Sequence, residues 1–178
     1  MPASRIILTM STAPLLSLAK VEPSPEPAGK LELIDTELIE VPPATFSRSK
    51  LTRRCYELLL SMLPSSRVWL EVAFRAGAGW LQPNVSVTWP DQAVEDDYLS
   101  GAPMVAVEVL SPRTTASEIE RKLTRYLNSG SSEVWVVDPM QETLTIYRRT
   151  PDGEMRIRLE SGYQSVAGIT IHYFQIFD

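Results

Sequence analysis

Residues 104–112 read MVAVEVLSP, and this stretch decides the fold. From Met104 to Leu110 every residue but Glu108 is apolar, which suits a strand buried on both faces. Ser111-Pro112 ends it. Downstream, Thr115 to Asn128 carries apolar residues at helical spacing, and Gly130 fits the C′ position of that helix. Glu133 to Val137 is a second apolar strand, closed by Asp138-Pro139. Upstream, Trp80 to Trp89 alternates, with Val85, Val87 and Trp89 on one face and Asn84, Ser86 and Thr88 on the other. Strand, strand, helix, strand over residues 82–137 predicts a mixed sheet with a crossover helix.

Around this centre, Lys30 to Val41 reads as two short strands, KLELI and ELIEV, about Asp35-Thr36. Ser47 to Leu63 reads as a helix capped by Ser47 or Ser49 and ended by Pro64. Val68 to Phe74 is a strand candidate, Ala76 to Gly79 a loop, and residues 90–103 a solvated loop. Thr143 to Arg148 and Glu154 to Leu159 form a hairpin around Pro-Asp-Gly. Ile169 to Phe177 reads as one more strand. The expected organisation is an N-terminal arm with a Pro-rich linker over 1–29, then a single domain over 30–178.

The chain has 178 residues, a formal net charge of −5, one cysteine and one histidine. Cys55 and His172 exclude an intrachain disulfide and a thiolate metal cluster. A reducing, cytoplasmic setting is expected. The apolar stretch Arg5 to Lys20 is broken by Thr9, Ser11, Thr12 and Pro14, unlike a secretory leader, and no run predicts a membrane span. Acidic overall charge means that a nucleic-acid partner requires a local basic patch. The densest is Arg48, Lys50, Arg53 and Arg54, while Arg113, Arg121 and Arg125 lie near the central strand in sequence. These are candidate phosphate contacts, or a solvated helix face. Trp80 and Trp89 are candidates for base stacking or for core. Ser111 and His172 lack a nucleophile elbow, and Ala76 to Gly79 lacks the spacing of a phosphate loop.

Glu108 is the exception inside its strand. It shares a face with Met104, Ala106 and Leu110, and an ionised carboxylate buried there costs several kcal/mol, of order ~3–5 if left unpaired. A cation, a metal or protonation must compensate. Lys122, at the edge of the helix's apolar stripe, is the natural counter-charge; a surface pair with Glu118 is the other use for it.

The ordered segments KLELIDTELIEV (30–41), QPNVSV (82–87), VAVEVLSP (105–112), KLTRY (122–126) and EVWVVDP (133–139) resemble the Uma2 (DUF820) family, a branch of the PD-(D/E)XK nucleases. The resemblance implies a restriction-endonuclease-like α/β (α+β) fold: a mixed central sheet flanked by helices, with extra N-terminal strands and a C-terminal hairpin. It also implies an endonuclease using Mg²⁺ or Mn²⁺ on DNA. Carried over, Glu108 matches the second metal-binding acid, the Val109 carbonyl a backbone ligand, Lys122 the catalytic lysine and Glu32 a further acid. Three sites depart from the family, one of them the Asp35-Thr36 turn, which lacks the glycine expected there. Asn84 stands where a metal-binding Asp is expected, and Arg48-Ser49 stand where a His-Gly often precedes the first long helix. Asp91 is a nearby acid expected in the loop. The resemblance thus implies either an endonuclease weakened at Asn84, or an inactive nuclease-fold module that binds DNA or protein. Self-association through the N-terminal arm or the C-terminal strand is a further expectation.

Overall fold

The computed structural model describes residues 30–34, 37–41, 43–77 and 79–178. The N-terminal arm and the Asp35-Thr36 turn lie outside these residues.

The central sheet contains β3 (Val68–Leu70), β6 (Val85–Val87), β9 (Val105–Val109), β10 (Glu133–Asp138), β11 (Thr143–Thr150) and β12 (Gly153–Arg158). Their spatial order is β12-β11-β10-β9-β6-β3. β9 and β10 are parallel, with Glu108 opposite Val136. The crossover between them is α2 (Ala116–Asn128), as the pattern predicts. A capping box starts this helix: Thr115 and Glu118 satisfy each other's backbone N–H groups.

α1 (Phe46–Met62) packs on one face of β9 and α2 on the other. Leu51, Cys55 and Leu59 of α1 join Val105, Val107, Val109, Trp135 and Val137 in one core. Leu123, Tyr126 and Leu127 of α2 join Ala106, Val134 and Val136 in the second. Strand alternation sorts the side chains between the cores. Met104 precedes β9 and packs with the first core, not on the Glu108 face.

A second mixed sheet covers the α2 side. It comprises β1 (Lys30–Ile34), β2 (Glu37–Val41), β4 (Phe74–Ala76), β5 (Gly79–Leu81), β7 (Val94–Glu95) and β8 (Tyr98–Leu99), in the order β2-β1-β5-β4-β8-β7. β1 crosses β5 at Leu33 and Trp80. A Cβ on Gly79 would lie 2.1 Å from the Leu33 carbonyl oxygen, so only glycine permits this approach.

Four expectations are corrected. Thr45 caps α1, its side chain accepting from the Arg48 N–H, because the helix starts one residue earlier than Ser47. The candidate strand 68–74 is broken at Glu71, whose φ of +51° turns the chain from the central sheet into the second one. The acidic loop contains β7 and β8, because Leu99 and Ala102 bury themselves in the second core. The C-terminal segment forms β14 (Thr170–His172) and then α3 (Tyr173–Phe177), not one strand. β14 pairs with β13 (Gly162–Gln164) of its own chain, and α3 packs on α1.

The C-terminal unit is tied to the sheet by Glu133, which is fully buried. Its carboxylate accepts from the Trp135 Nε1–H (3.0 Å), Tyr163 O–H (2.7 Å), Ser165 O–H (2.7 Å) and Val166 N–H (2.9 Å). No helix among the described residues is long and apolar enough to cross a membrane.

Candidate functional site

Three elements meet at the end of β9. Alternation turns Glu108 toward α2, and it is 4 % exposed. Lys122 sits on the sheet-facing edge of α2, and Tyr126 follows one turn later. Glu32 comes from β1 and is 1 % exposed. The Lys122 Nζ lies 2.6 Å from Glu108 Oε1 and 3.0 Å from Glu32 Oε2. Tyr126 donates its O–H to Glu108 Oε1 at 2.5 Å. The Gln82 N–H donates to Glu32 Oε1 at 3.3 Å. The structure thus brings Glu108, Lys122 and Glu32 together, and α2 carries the lysine inward to the buried acids, not outward to Glu118. Glu118 is used in the capping box.

Burial opposes the Lys122 charge, but the carboxylates of Glu108 and Glu32 more than offset it and raise its pKa above 10.5. Burial, then the nearby Glu108 charge, holds the Tyr126 phenol well above its ordinary range. Burial and the bond to Glu133 push Tyr163 up to about 12. The unfolded state therefore loses these protons first as pH rises. Stability contributed by all three groups is intact at neutral pH and falls through the alkaline range, the Tyr163 part between 10 and about 12. A urea-unfolding series across that range is expected to show a steady decline. A flat profile would remove these contributions.

Arg48 is the unexpected member. It is the third residue of α1 and only 7 % exposed. Its guanidinium reaches over the end of β9. Nε donates to the Val109 carbonyl at 3.0 Å, and one Nη lies 3.5 Å from Asn84 Oδ1. That same Oδ1 accepts the Val109 N–H at 2.8 Å. Asn84 thus closes a loop of bonds between the β6 and β9 strand ends. The two oxygens implied as metal ligands, Val109 O and Asn84 Oδ1, are both engaged by N–H donors. Glu108 Oε1 is engaged by Lys122 and Tyr126. Among the described residues no group of three or more His, Cys, Asp or Glu is arranged to hold a metal ion. A hard divalent cation needs six or so oxygen ligands with little competing positive charge, and this donor set does not fit it.

The other expected phosphate contacts separate. Lys50, Arg53 and Arg113 are exposed. Arg53 pairs with Glu57 of its own helix face, at 3.4 Å. Arg54 instead donates to the Gln175 carbonyl (3.1 Å), Arg121 pairs with Glu37 (3.2 Å), and Arg125 lies against the Gly77 turn. A cavity of about 300 Å³ opens beside Asn84, lined by Arg48, Ser49, Thr52, Arg53 and Glu71 among others. Trp80 with Tyr98 lines a neighbouring cavity of about 470 Å³, whereas the Trp89 indole donates to the Ala102 carbonyl. Asp91 is exposed in its loop. Sequence reasoning missed Tyr126 as the acid's donor, although its four-residue spacing from Lys122 was the available signal. It placed Arg48 on the surface. The only hint otherwise was the departure from His-Gly at that position.

These features agree with comparisons to known proteins. A crystal structure of "a putative nuclease belonging to DUF820" from Anabaena variabilis superposes with a TM-score of 0.73 at 21% identity, covering 86% of this chain and 93% of that one. At that identity it is evidence of a shared fold. No curated protein matches. Residues 18–167 match the Uma2 family, described as "Putative restriction endonuclease". With that match running through both sheets and every residue of the Glu108 site, the chain belongs to the Uma2 family.

Proposed function

We propose that this protein is a nuclease-fold module that binds the phosphodiester backbone of DNA without metal-dependent cleavage. The observation that carries the reading is the Arg48 guanidinium on Val109 O and beside Asn84 Oδ1, where the family resemblance implies a metal. A guanidinium there removes the ion that would activate water, yet leaves a cation facing the groove. The cavity beside it offers Ser49, Thr52 and Arg53, hydroxyl and guanidinium groups suited to phosphate oxygens. Lys50 and Arg53 lie on the exposed side of the same helix, and Arg113 lies in the turn after β9. The lining of the cavity carries two guanidinium groups, Arg48 and Arg53, against one carboxylate, Glu71.

Duplex DNA should bind at low salt, with affinity falling linearly in log salt. The combined variant Lys50→Ala/Arg53→Ala/Arg113→Ala should weaken binding at least tenfold and flatten the salt slope by up to about 3. Fluorescence anisotropy on a labelled duplex measures both. Absence of binding at low salt removes the DNA reading.

A residual endonuclease is the second reading, favoured by the intact Lys122–Glu108–Glu32 cluster. Supercoiled plasmid in Mg²⁺ or Mn²⁺ separates the two. Nicking by wild type that disappears in Glu108→Gln would establish the enzyme.

A further inference from the structure

We infer that Arg48 and Asn84 are a matched replacement for a divalent cation, so that reversing Asn84 alone creates an ion pair and not a metal site. The inference rests on reading this site as a nuclease-derived one, and its test uses no nucleic acid.

The argument begins with charge. The named ionised groups at the end of β9 are Glu32, Glu108, Lys122 and Arg48. Two buried negative charges face two cations, so the set is neutral. With an aspartate at position 84 and no arginine, the same set would carry two uncompensated negative charges. That is the charge of one divalent ion. Removing Arg48 alone leaves an unmatched buried charge, which is strongly destabilising, whereas adding the aspartate alone places its charge beside a guanidinium already bonded at the site. Asn84 with no Arg48 lacks a cation, and an aspartate with Arg48 gains a bonded partner at once.

Geometry points the same way. Arg48 Nε lies 3.0 Å from the Val109 carbonyl oxygen. A hard cation would bind that oxygen at about 2.0–2.6 Å. Ion and guanidinium would then share one acceptor and lie within a few ångströms of each other, two like charges in a poorly solvated place. The planar fork of Arg48 also spans to Asn84 Oδ1, 3.5 Å from its Nη. One side chain therefore faces both oxygens implied as metal ligands. Asn84 Oδ1 accepts from the Val109 N–H at 2.8 Å and faces the Arg48 guanidinium. A carboxylate oxygen in its place keeps both bonds and strengthens them, because charge-assisted bonds are the stronger ones.

Arg48 is also not free to withdraw. It is 7 % exposed, and its helix is anchored by Leu51, Cys55 and Leu59 in the core beneath the sheet. The backbone of α1 thus delivers this cation to a fixed place, whereas a diffusible ion would have to displace it.

The test titrates Mn²⁺ against wild type, Asn84→Asp, and the double variant Arg48→Ala/Asn84→Asp. Free Mn²⁺ is read by electron paramagnetic resonance and Tm by calorimetry with and without the ion. Wild type and Asn84→Asp should show no saturable binding at millimolar Mn²⁺. Asn84→Asp should raise Tm by several degrees with no metal present. The double variant should have a low Tm that Mn²⁺ raises, with one site titrated. Saturable Mn²⁺ binding by wild type or by Asn84→Asp overturns the inference, and so does a folded double variant that binds none. If the double variant does not fold, the single variant decides: a Tm unchanged or lowered by Asn84→Asp also overturns it.

Discussion

Lys122→Met is expected to cost about 3–5 kcal/mol of stability, the range for removing one partner from a buried charge set. Lys122 is the ammonium between Glu108 and Glu32, at 2.6 and 3.0 Å from their oxygens. Both acids are nearly fully buried. Methionine keeps the length and apolar stem of the side chain, so packing losses are small and the electrostatic loss dominates. The pH response of the variant carries a separate signature. Two facing carboxylates deprived of the ammonium between them are relieved by protonation in the folded state. The folded state then binds more protons than the unfolded state, so the stability of the variant rises as pH falls. Adding Glu32→Gln and Glu108→Gln to Lys122→Met should recover most of the loss at neutral pH, because the repulsion is then gone. Urea unfolding of the three proteins at neutral and mildly acidic pH measures this. A single variant as stable as wild type at neutral pH would sink the buried-cluster account. DNA affinity of the same variants would show separately whether the ammonium also serves a phosphate.

The second large effect is far from this site. Glu133→Ala should cost about 3–4 kcal/mol, since buried donors left without an acceptor cost ~1–3 kcal/mol each where water cannot replace it. Four donors lose their acceptor: Trp135 Nε1–H, Tyr163 O–H, Ser165 O–H and Val166 N–H. Tyr163 and Val166 are half-buried and regain water, which keeps the total below the full sum. The damage should be local as well as global. Three of the four donors belong to residues 163–166, so the β13–β14 hairpin should exchange its amide hydrogens faster than β9 and β10. Hydrogen exchange resolved by mass spectrometry reads this directly. Uniform loss of protection across β9, β10 and the hairpin would contradict a local tie. DNA binding by Glu133→Ala, measured where it remains folded, should match wild type.

The central elements were legible because their pattern is local. MVAVEVL (104–110) has no polar residue except Glu108, and the structure buries every residue of β9. The crossover helix was readable from the stripe of Ile119, Leu123 and Tyr126 and from Gly130 at its end, while the Thr115–Glu118 capping box came from the structure. The KLELI and ELIEV segments form two strands as read, and they pair antiparallel with Leu33 facing Leu38. The misreadings have a common cause. Residues 90–103 look solvated because four acids dominate them, yet Leu99 and Ala102 bury in the second core, and Leu99 pairs with Phe74. The C-terminal segment is apolar enough for a strand. A capping interaction of His172 with Gln175, and α1 as a packing surface, turn its end into helix.

Sequence alone determined that Glu108 is a buried acid in a two-sided strand, that a cation, a metal or protonation must compensate it, and that Lys122 is its natural counter-charge; the departures at Asn84 and Arg48 showed only against the family resemblance. The conclusions about Glu108 and Lys122 follow from short-range periodicity and from the cost of burying charge, neither of which requires knowledge of distant neighbours. Only the tertiary structure decided which cation goes where. Lys122 and Glu32 are 90 positions apart, and Arg48 and Val109 are 61 apart. No local pattern distinguishes an arginine on the outer face of a helix from one whose guanidinium reaches over a strand end. That distinction is set by the angle at which α1 crosses the sheet. Leu51, Cys55 and Leu59 hold α1 in the core, and Arg48 reaches the carbonyl at the end of β9.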